Sequence, residues 1–350
     1  MQFGVQFFPC VDPVAKPAAV YFDECLRLVE LCDPLGYTHV RTVEHYFLPY
    51  GGYSPNPIVF LSAAAQRAKK ARMVTGAVLP VFNNPLKLAG EIGMLDAISG
   101  GRLDVGFARA FLPHEFRHFK VSLDESVARF DEGVAQIGAL LSGENVTMEG
   151  RFHSFANVTS LPRPTQTPHP PFWTACNSTA ESFAKAGRAG HGVLAIALIA
   201  PMLKELIATY RAAWKSAGHP GQGTVMIAFH MLCAESKAEA DRIARAPCDA
   251  YFRSIVEAAG DWAAGTSSKD YKNYDKMIEQ LRKDNYDTQV ASGGVWAGEP
   301  SQIVDQIHRY QEAVGGFEVA SMQTNFYDIG YETAARSMKL FGEKVIPQFR

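Results

Sequence analysis

Eight short apolar and β-branched runs, separated by stretches of helical periodicity, limit this chain more than any other feature. They are FGVQFF (3–8), THVRTV (38–43), RMVTGAVL (72–79), RLDVGFA (102–108), PFWTAC (171–176), GVLAIAL (192–198), TVMIAFHML (224–232) and FEVASMQT (317–324). Between them apolar residues return at helical intervals, as at Leu26, Val29 and Leu31 ahead of Gly36, and at Ala89, Ile92 and Leu95 ahead of Gly100. Such alternation builds parallel βαβ units, closed as a (β/α)8 TIM barrel or wound as an open sheet. The count of eight favours the barrel, an α/β fold occupying residues 1–350 as one domain.

Two segments break the alternation. Residues 144–170 are rich in turn residues and prolines and predict a short hairpin followed by an extended loop. Residues 257–300 predict a long insertion after strand 7, with Trp262, Tyr271, Tyr274, Tyr286 and Trp296 among its charges. A loop of that length beside a barrel mouth is more often a functional lid than a spacer.

Composition narrows the function classes. A net charge of -2 over 350 residues gives no basic field to neutralise a nucleic-acid backbone. No run approaches the roughly 20 apolar residues that span a bilayer, and the opening MQFGVQFFPC enters a strand directly, so a cytoplasmic protein without membrane contact is expected. The six cysteines lack metal-ligand spacing and read as reduced, buried thiols. His114 and His118 stand at i, i+4, but no second acid accompanies them at ligand spacing, and no metal is expected. Walker, dinucleotide-binding and Gly-x-Ser-x-Gly motifs are absent.

Candidate site residues follow from the rule that a TIM barrel does its chemistry at the carboxyl ends of its strands. Glu44 and His45 close the second run, where an imidazole can exchange a proton near neutral pH; they can equally satisfy one another or a loop backbone. Arg109 ends the fourth run with Glu115 behind it, and a guanidinium there suits an anion such as phosphate. Arg102, earlier in that run, reads as an ordinary salt bridge. Ala175 and Cys176 end the fifth run, and Ser178 with Glu181 has capping-box spacing before a helix; such a helix N-terminus can also seat a phosphate, which adds Thr179. Gly76 and Ala77 leave little side chain in the third run, a sign of close approach by a ligand or backbone.

Taken together, VEHYF (43–47), LDAISGGRLDVGFAR (95–109) and SMKLFGEKVIP (337–347) make the chain resemble the bacterial luciferase-like flavin monooxygenases over most of its length. The resemblance implies an FMN site at the carboxyl face of the barrel, with His45 as the catalytic histidine and Glu44 as the acid before it. Arg109 and Arg129 match a pair that holds the flavin phosphate, Thr179 matches a further phosphate contact, and Cys176 replaces a serine. Gly76-Ala77 matches a non-prolyl cis peptide beneath the flavin, and Glu115 an acid near its edge. Ala108 replaces a reactive cysteine and Tyr46 a second histidine, departures that point away from light emission. The implied activity is a two-component monooxygenase: a separate reductase supplies reduced FMN, and O2 then forms a flavin hydroperoxide that oxidises a small organic substrate. Tyr46, Trp262, Tyr271 and Tyr274 are expected to face that substrate, and a homodimer is expected through helices early in the barrel. Deazaflavin-dependent hydride transfer and flavin binding without turnover are the alternatives.

Overall fold

In a computed structural model describing residues 1–350, the eight runs become the eight parallel strands of a closed barrel. The strands are β1 (Gln2–Phe7), β2 (His39–Thr42), β3 (Arg72–Val78), β4 (Leu103–Phe107), β5 (Phe172–Ala175), β6 (Gly192–Ile196), β7 (Val225–Cys233) and β8 (Val319–Gln323). Each pairs with the next in sequence, and β8 returns to β1, which closes the ring. Strands shielded on both faces must be apolar nearly throughout, which is why these runs lack strict alternation.

The core has two parts because the barrel has two surfaces. Outward residues join the surrounding helices in one large cluster, while Val74, Trp173, Leu194, Met226 and Val319 form a separate plug inside the barrel. Helix Pro85–Ser99 illustrates how the shell is set. Asn84 caps its start by accepting from the Leu86 N–H, Pro85 occupies the first turn, and Gly100 ends it in the left-handed region at φ 68°. Its buried face includes Ala89, Ile92 and Leu95, as the periodicity predicts. The first helix, Ala18–Glu30, buries Val29 as the periodicity predicts, together with Tyr21, Cys25 and Leu28, but leaves Leu26 and the capping Leu31 half-buried.

The two interruptions differ in what they become. Residues 144–170 contain the expected hairpin, Val146–Met148 against Phe155–Val158. Residues 257–300 are not a simple excursion. They hold helices Gly260–Ala263, Tyr274–Leu281 and Tyr286–Ser292, then a ninth parallel strand, Val295–Gly298, on the carboxyl-terminal half of β7. Trp296 in that strand is fully buried and stacks on Phe229 with centroids 3.9 Å apart. Removing a ring so enclosed costs about 3–5 kcal/mol in ordinary cores. Four apolar residues were too short a run to reveal the strand.

Two local expectations fail. Arg102 makes no salt bridge; its guanidinium donates to the carbonyls of Ser99, Ala68, Ala71 and Ala65, tying the end of helix Pro57–Arg67 to the start of β4. Carbonyls left over at a helix end attract a cation as well as an acid does. Nor does the Ser178–Glu181 capping box form. Thr179 is the N-cap of helix Ala180–Arg188 and makes no side-chain cap bond; its hydroxyl turns to Ser182, and Glu181 pairs with Arg188. All six cysteines are buried and unpaired.

Candidate active site

The carboxyl ends of β2, β3 and β4 converge on His45. Three loops at this face hold a non-glycine residue in the left-handed region: Phe47 after β2, Ala110 after β4 and Tyr327 after β8. Such conformations concentrate where a fold serves a site. Gly51, at φ 80°, lies under the His45 ring, and a Cβ there would stand 2.6 Å from that of His45.

His45 is paired, but not with its neighbour. Its Nδ1 lies 3.0 Å from Oε1 of Glu115, which also accepts the Tyr46 N–H at 3.0 Å. Glu115 is fully buried on helix Pro113–Phe119, and because its Oε1 already accepts from the Tyr46 N–H, Nδ1 is placed to donate to it, leaving Nε2 outside this bond. Phe8, Tyr50 and Phe111 surround the ring at centroid distances of 5.6, 5.6 and 6.0 Å.

Glu44 faces the other way. Its carboxylate accepts from the Leu79 N–H at 3.0 Å, from Asn83 Nδ2 at 2.9 Å and from the Tyr46 hydroxyl. Burial outweighs these donors and, with the charge of Glu115 nearby, raises its carboxyl to about 7. Only Glu115 holds the imidazole; Glu44, turned toward the β3 end, is a separate buried acid whose carboxyl is raised into the neutral range. Tyr46, expected near substrate, is half-buried with its hydroxyl committed to Glu44.

A second group assembles around Arg109. The guanidinium lies over the Tyr271 ring at 5.0 Å, donates to the Asp270 carbonyl at 3.2 Å and is close enough to Cys176 to act on its thiol, which burial nevertheless pushes up to about 12. The Asp270 carboxylate sits on the N-terminus of helix Ser126–Ser142, accepting from Val127 N at 3.1 Å and Ser126 Oγ at 3.3 Å. That helix start therefore already holds an anion, beside a cation, whereas the sequence points to the helix start after β5 as the phosphate seat. These donors fit a phosphate group.

The remaining candidates divide. Arg129 pairs with Glu125 at 3.1 Å and covers Phe152, so its contacts are not with the Arg109 group. Ala175 and Thr179 are exposed and Ser178 half-buried at the end of β5. The Gly76–Ala77 peptide is cis. Trp262 and Tyr271 are buried, with Trp262 Nε1 donating to the Phe111 carbonyl and the Tyr271 hydroxyl to those of Arg109 and Ala110. Tyr274 packs against both rings. This strap, roughly residues 260–274, closes over the β4 end. His114 donates through Nε2 to the Tyr46 carbonyl, and His118 packs on Phe47. The sequence reading missed Phe8, Tyr50 and Tyr251 around the mouth. A cavity of about 460 Å³ lined by His169, Trp173, His191 and Trp214 lies at the amino-terminal ends of β5 to β7, on the face opposite His45.

In parallel barrels the carboxyl-terminal face, where His45 and Glu115 meet, is the face at which enzymes of this fold hold their ligands. The chain belongs to the luciferase-like monooxygenase family, whose model matches residues 1–315. Monooxygenase RslO1 of Streptomyces bottropensis is 41% identical and superimposes with a TM-score of 0.89 over all of both chains. The oxygenase component of the flavin-dependent trigonelline monooxygenase of Acinetobacter baylyi is 26% identical over 343 residues, 94% of this chain and 90% of that one. Uncharacterized protein y4wF of Sinorhizobium fredii is 36% identical over 177 residues, so the match spans 51% of each chain. Likeness also extends to an F420-dependent glucose-6-phosphate dehydrogenase of Amycolatopsis mediterranei, 25% identical over 322 residues, 88% of this chain and 89% of that one.

Proposed function

We propose that the chain is the oxygenase component of a two-component monooxygenase, taking reduced FMN from a separate reductase and using O2 to oxidise a small organic substrate. The observation that carries this reading is His45, held by Glu115 at the mouth of this family's barrel, with Arg109 and the Ser126–Ser142 helix start able to take a phosphate. Bound reduced flavin would supply the electrons for oxygen activation. His45 Nε2 would hold or deliver a proton at the reacting edge, with Glu115 fixing the tautomer and Glu44 as a second proton reservoir. Phe8, Tyr50 and Phe111 would keep water from the same edge. Arg109, Arg129, Cys176, Ser178 and Thr179 remain the proposed phosphate contacts, and Gly76-Ala77 the proposed seat of the ring.

The strap at 260–274 is proposed as the lid. It is anchored by the buried Trp262 and Tyr271, by the Arg117–Asp261 pair at 3.1 Å, and by Asp124, which accepts from Ser268 and Lys269. A homodimer is proposed through helices Pro57–Arg67 and Pro85–Ser99, which expose Val59, Leu86, Met94 and Ile98. Buried, unpaired thiols fit a reducing compartment, and the cytoplasm is the proposed location. No helix is long and apolar enough to cross a membrane.

The test is to mix the protein anaerobically with reduced FMN, add oxygen rapidly and follow the flavin spectrum in wild type and His45→Ala. A delayed return to oxidised flavin, shortened in the variant, supports the oxygenase. Immediate return in both refutes it. The F420-dependent relative keeps hydride transfer from a deazaflavin as the second reading, and direct comparison of FMN and F420 binding separates the two.

A further inference from the structure

One layer of the barrel interior is polar, cationic and short of partners. Gln6 of β1 stands in register with Arg41 of β2 and Gln323 of β8, and Gln323 with His230 of β7. All four are more than nine-tenths buried, at 4, 7, 3 and 7% exposed. Tyr251 lies against Gln323 and Tyr50, and its ring is 4.5 Å from that of His230, linking the layer to the aromatics around His45. Val74 of β3 continues the row in register with Arg41, and with Trp173, Leu194, Met226 and Val319 it forms the apolar plug toward the amino-terminal side. The layer therefore faces the carboxyl-terminal mouth.

Arg41 is the unusual member. Nη2 donates to the Gly76 carbonyl at 3.1 Å, while Nε and Nη1 are buried without partners. No acid acts on it; the one titratable neighbour that does is the Tyr251 phenol, which burial pushes up to about 12 and which is uncharged at neutral pH. Burial lowers the guanidinium to about 10, which leaves it charged at neutral pH, and lowers His230 to about 3, which leaves that imidazole neutral. An enclosed cation without an anion is costly, and removing it from a fold is often stabilising rather than harmful. Gly76 belongs to the same arrangement: a Cβ there would fall on Arg41 Nε, so the small residue in β3 makes room for the guanidinium. His230 Nε2 and Gln323 Oε1 are also without partners. The neutral imidazole and the amide can each turn an N–H toward a ligand.

We propose that Arg41, flanked by Gln323 and His230, forms the floor of the site and receives a planar, delocalised monoanion, either the carboxylate of the organic substrate or the charged ring of reduced flavin. This deepens the proposed function and rests on the mouth being a flavin and substrate site. Guanidinium recognition of such groups is directional, so the floor would fix which edge of the ligand meets His45.

Arg41→Met removes the charge while keeping length, and Arg41→Lys restores charge without the planar fork. After thermal melts show both folded, benzoate and its uncharged analogue benzamide are titrated calorimetrically into each protein, with and without FMN. In parallel, the midpoint potential of bound FMN is measured. A substrate carboxylate as the occupant predicts benzoate binding at least about tenfold weaker in Arg41→Met, partly recovered in Arg41→Lys, with benzamide unchanged. Reduced flavin as the occupant predicts benzoate unchanged and a preference for reduced over oxidised FMN lowered at least tenfold, ~30 mV for two electrons. A folded Arg41→Met protein matching wild type in both measurements overturns the proposal. Wild type that fails to bind FMN refutes the flavin reading instead, and benzoate titration of the FMN-free protein then decides the role of Arg41: no difference between wild type and Arg41→Met overturns it.

Discussion

Glu44 offers a quantitative test of the site's electrostatics, because its carboxyl is fully enclosed and its titration is displaced far from that of a free side chain. Three donors, the Leu79 N–H, Asn83 Nδ2 and the Tyr46 hydroxyl, favour the ionised form, yet burial dominates and raises the group from 4.5 to about 7. In the unfolded chain it titrates near 4.5 again. An acid raised by folding holds its proton more tightly in the native state, so its contribution is complete below about pH 4.5 and is lost as pH climbs through about 7. At about 1.4 kcal/mol for each pH unit, the interval amounts to ~3 kcal/mol. The assay is urea unfolding across this range for wild type and Glu44→Gln, whose amide has nearly the same shape and does not titrate. Subtracting one curve from the other removes every other ionisable group. Wild-type stability relative to the variant should fall by ~3 kcal/mol between about pH 4.5 and pH 8. Parallel curves would show that the three donors balance burial, and wild-type stability that rises with pH relative to the variant would show that they outweigh it; either result refutes the raised carboxyl.

Glu115→Gln removes the charge that holds His45 Nδ1 and should slow turnover by about 10- to 100-fold, the worth of a charge-assisted bond; the double variant with His45→Ala should be little slower than His45→Ala alone, as steady-state rates will show. Asp270→Asn takes the carboxylate from the helix start beside Arg109, and FMN affinity by fluorescence quenching should rise by about 3- to 10-fold, since the seat no longer holds a competing anion; weaker binding contradicts a phosphate at that place. In Arg102→Ala, four carbonyls at two helix ends and the turn before β3 lose their donor, and chemical denaturation should report a loss of about 2–4 kcal/mol. Trypsin should cut the 260–274 strap more readily without FMN than with it, and equal rates would argue against a lid.

Periodicity and count were enough to favour a barrel over an open sheet, because strands buried on both faces are largely apolar and eight such runs can close a ring. The same logic identified the mouth: Glu44, His45, Arg109 and Cys176 all follow strand ends, and a parallel barrel sends every strand end to one face. Adjacency in sequence misled where direction mattered. Glu44 and His45 are consecutive, and consecutive residues leaving a strand point to opposite sides, so the acid goes to the β3 end and the imidazole to Glu115, seventy residues away. Arg41 passed unremarked inside the run THVRTV, and only register shows that it stands in one row with Gln6, Gln323 and His230. Trp296 lay in too short a run to betray a strand, and Asp270 carried no signal at all until the strap was folded against the Ser126–Ser142 helix. The sequence by itself determined which runs form the eight barrel strands and at which face chemistry can occur, since both follow from local pattern and chain direction. Which acid holds His45, what stands beneath it and what covers Arg109 were decided only by tertiary packing, because those contacts join segments that no local pattern relates.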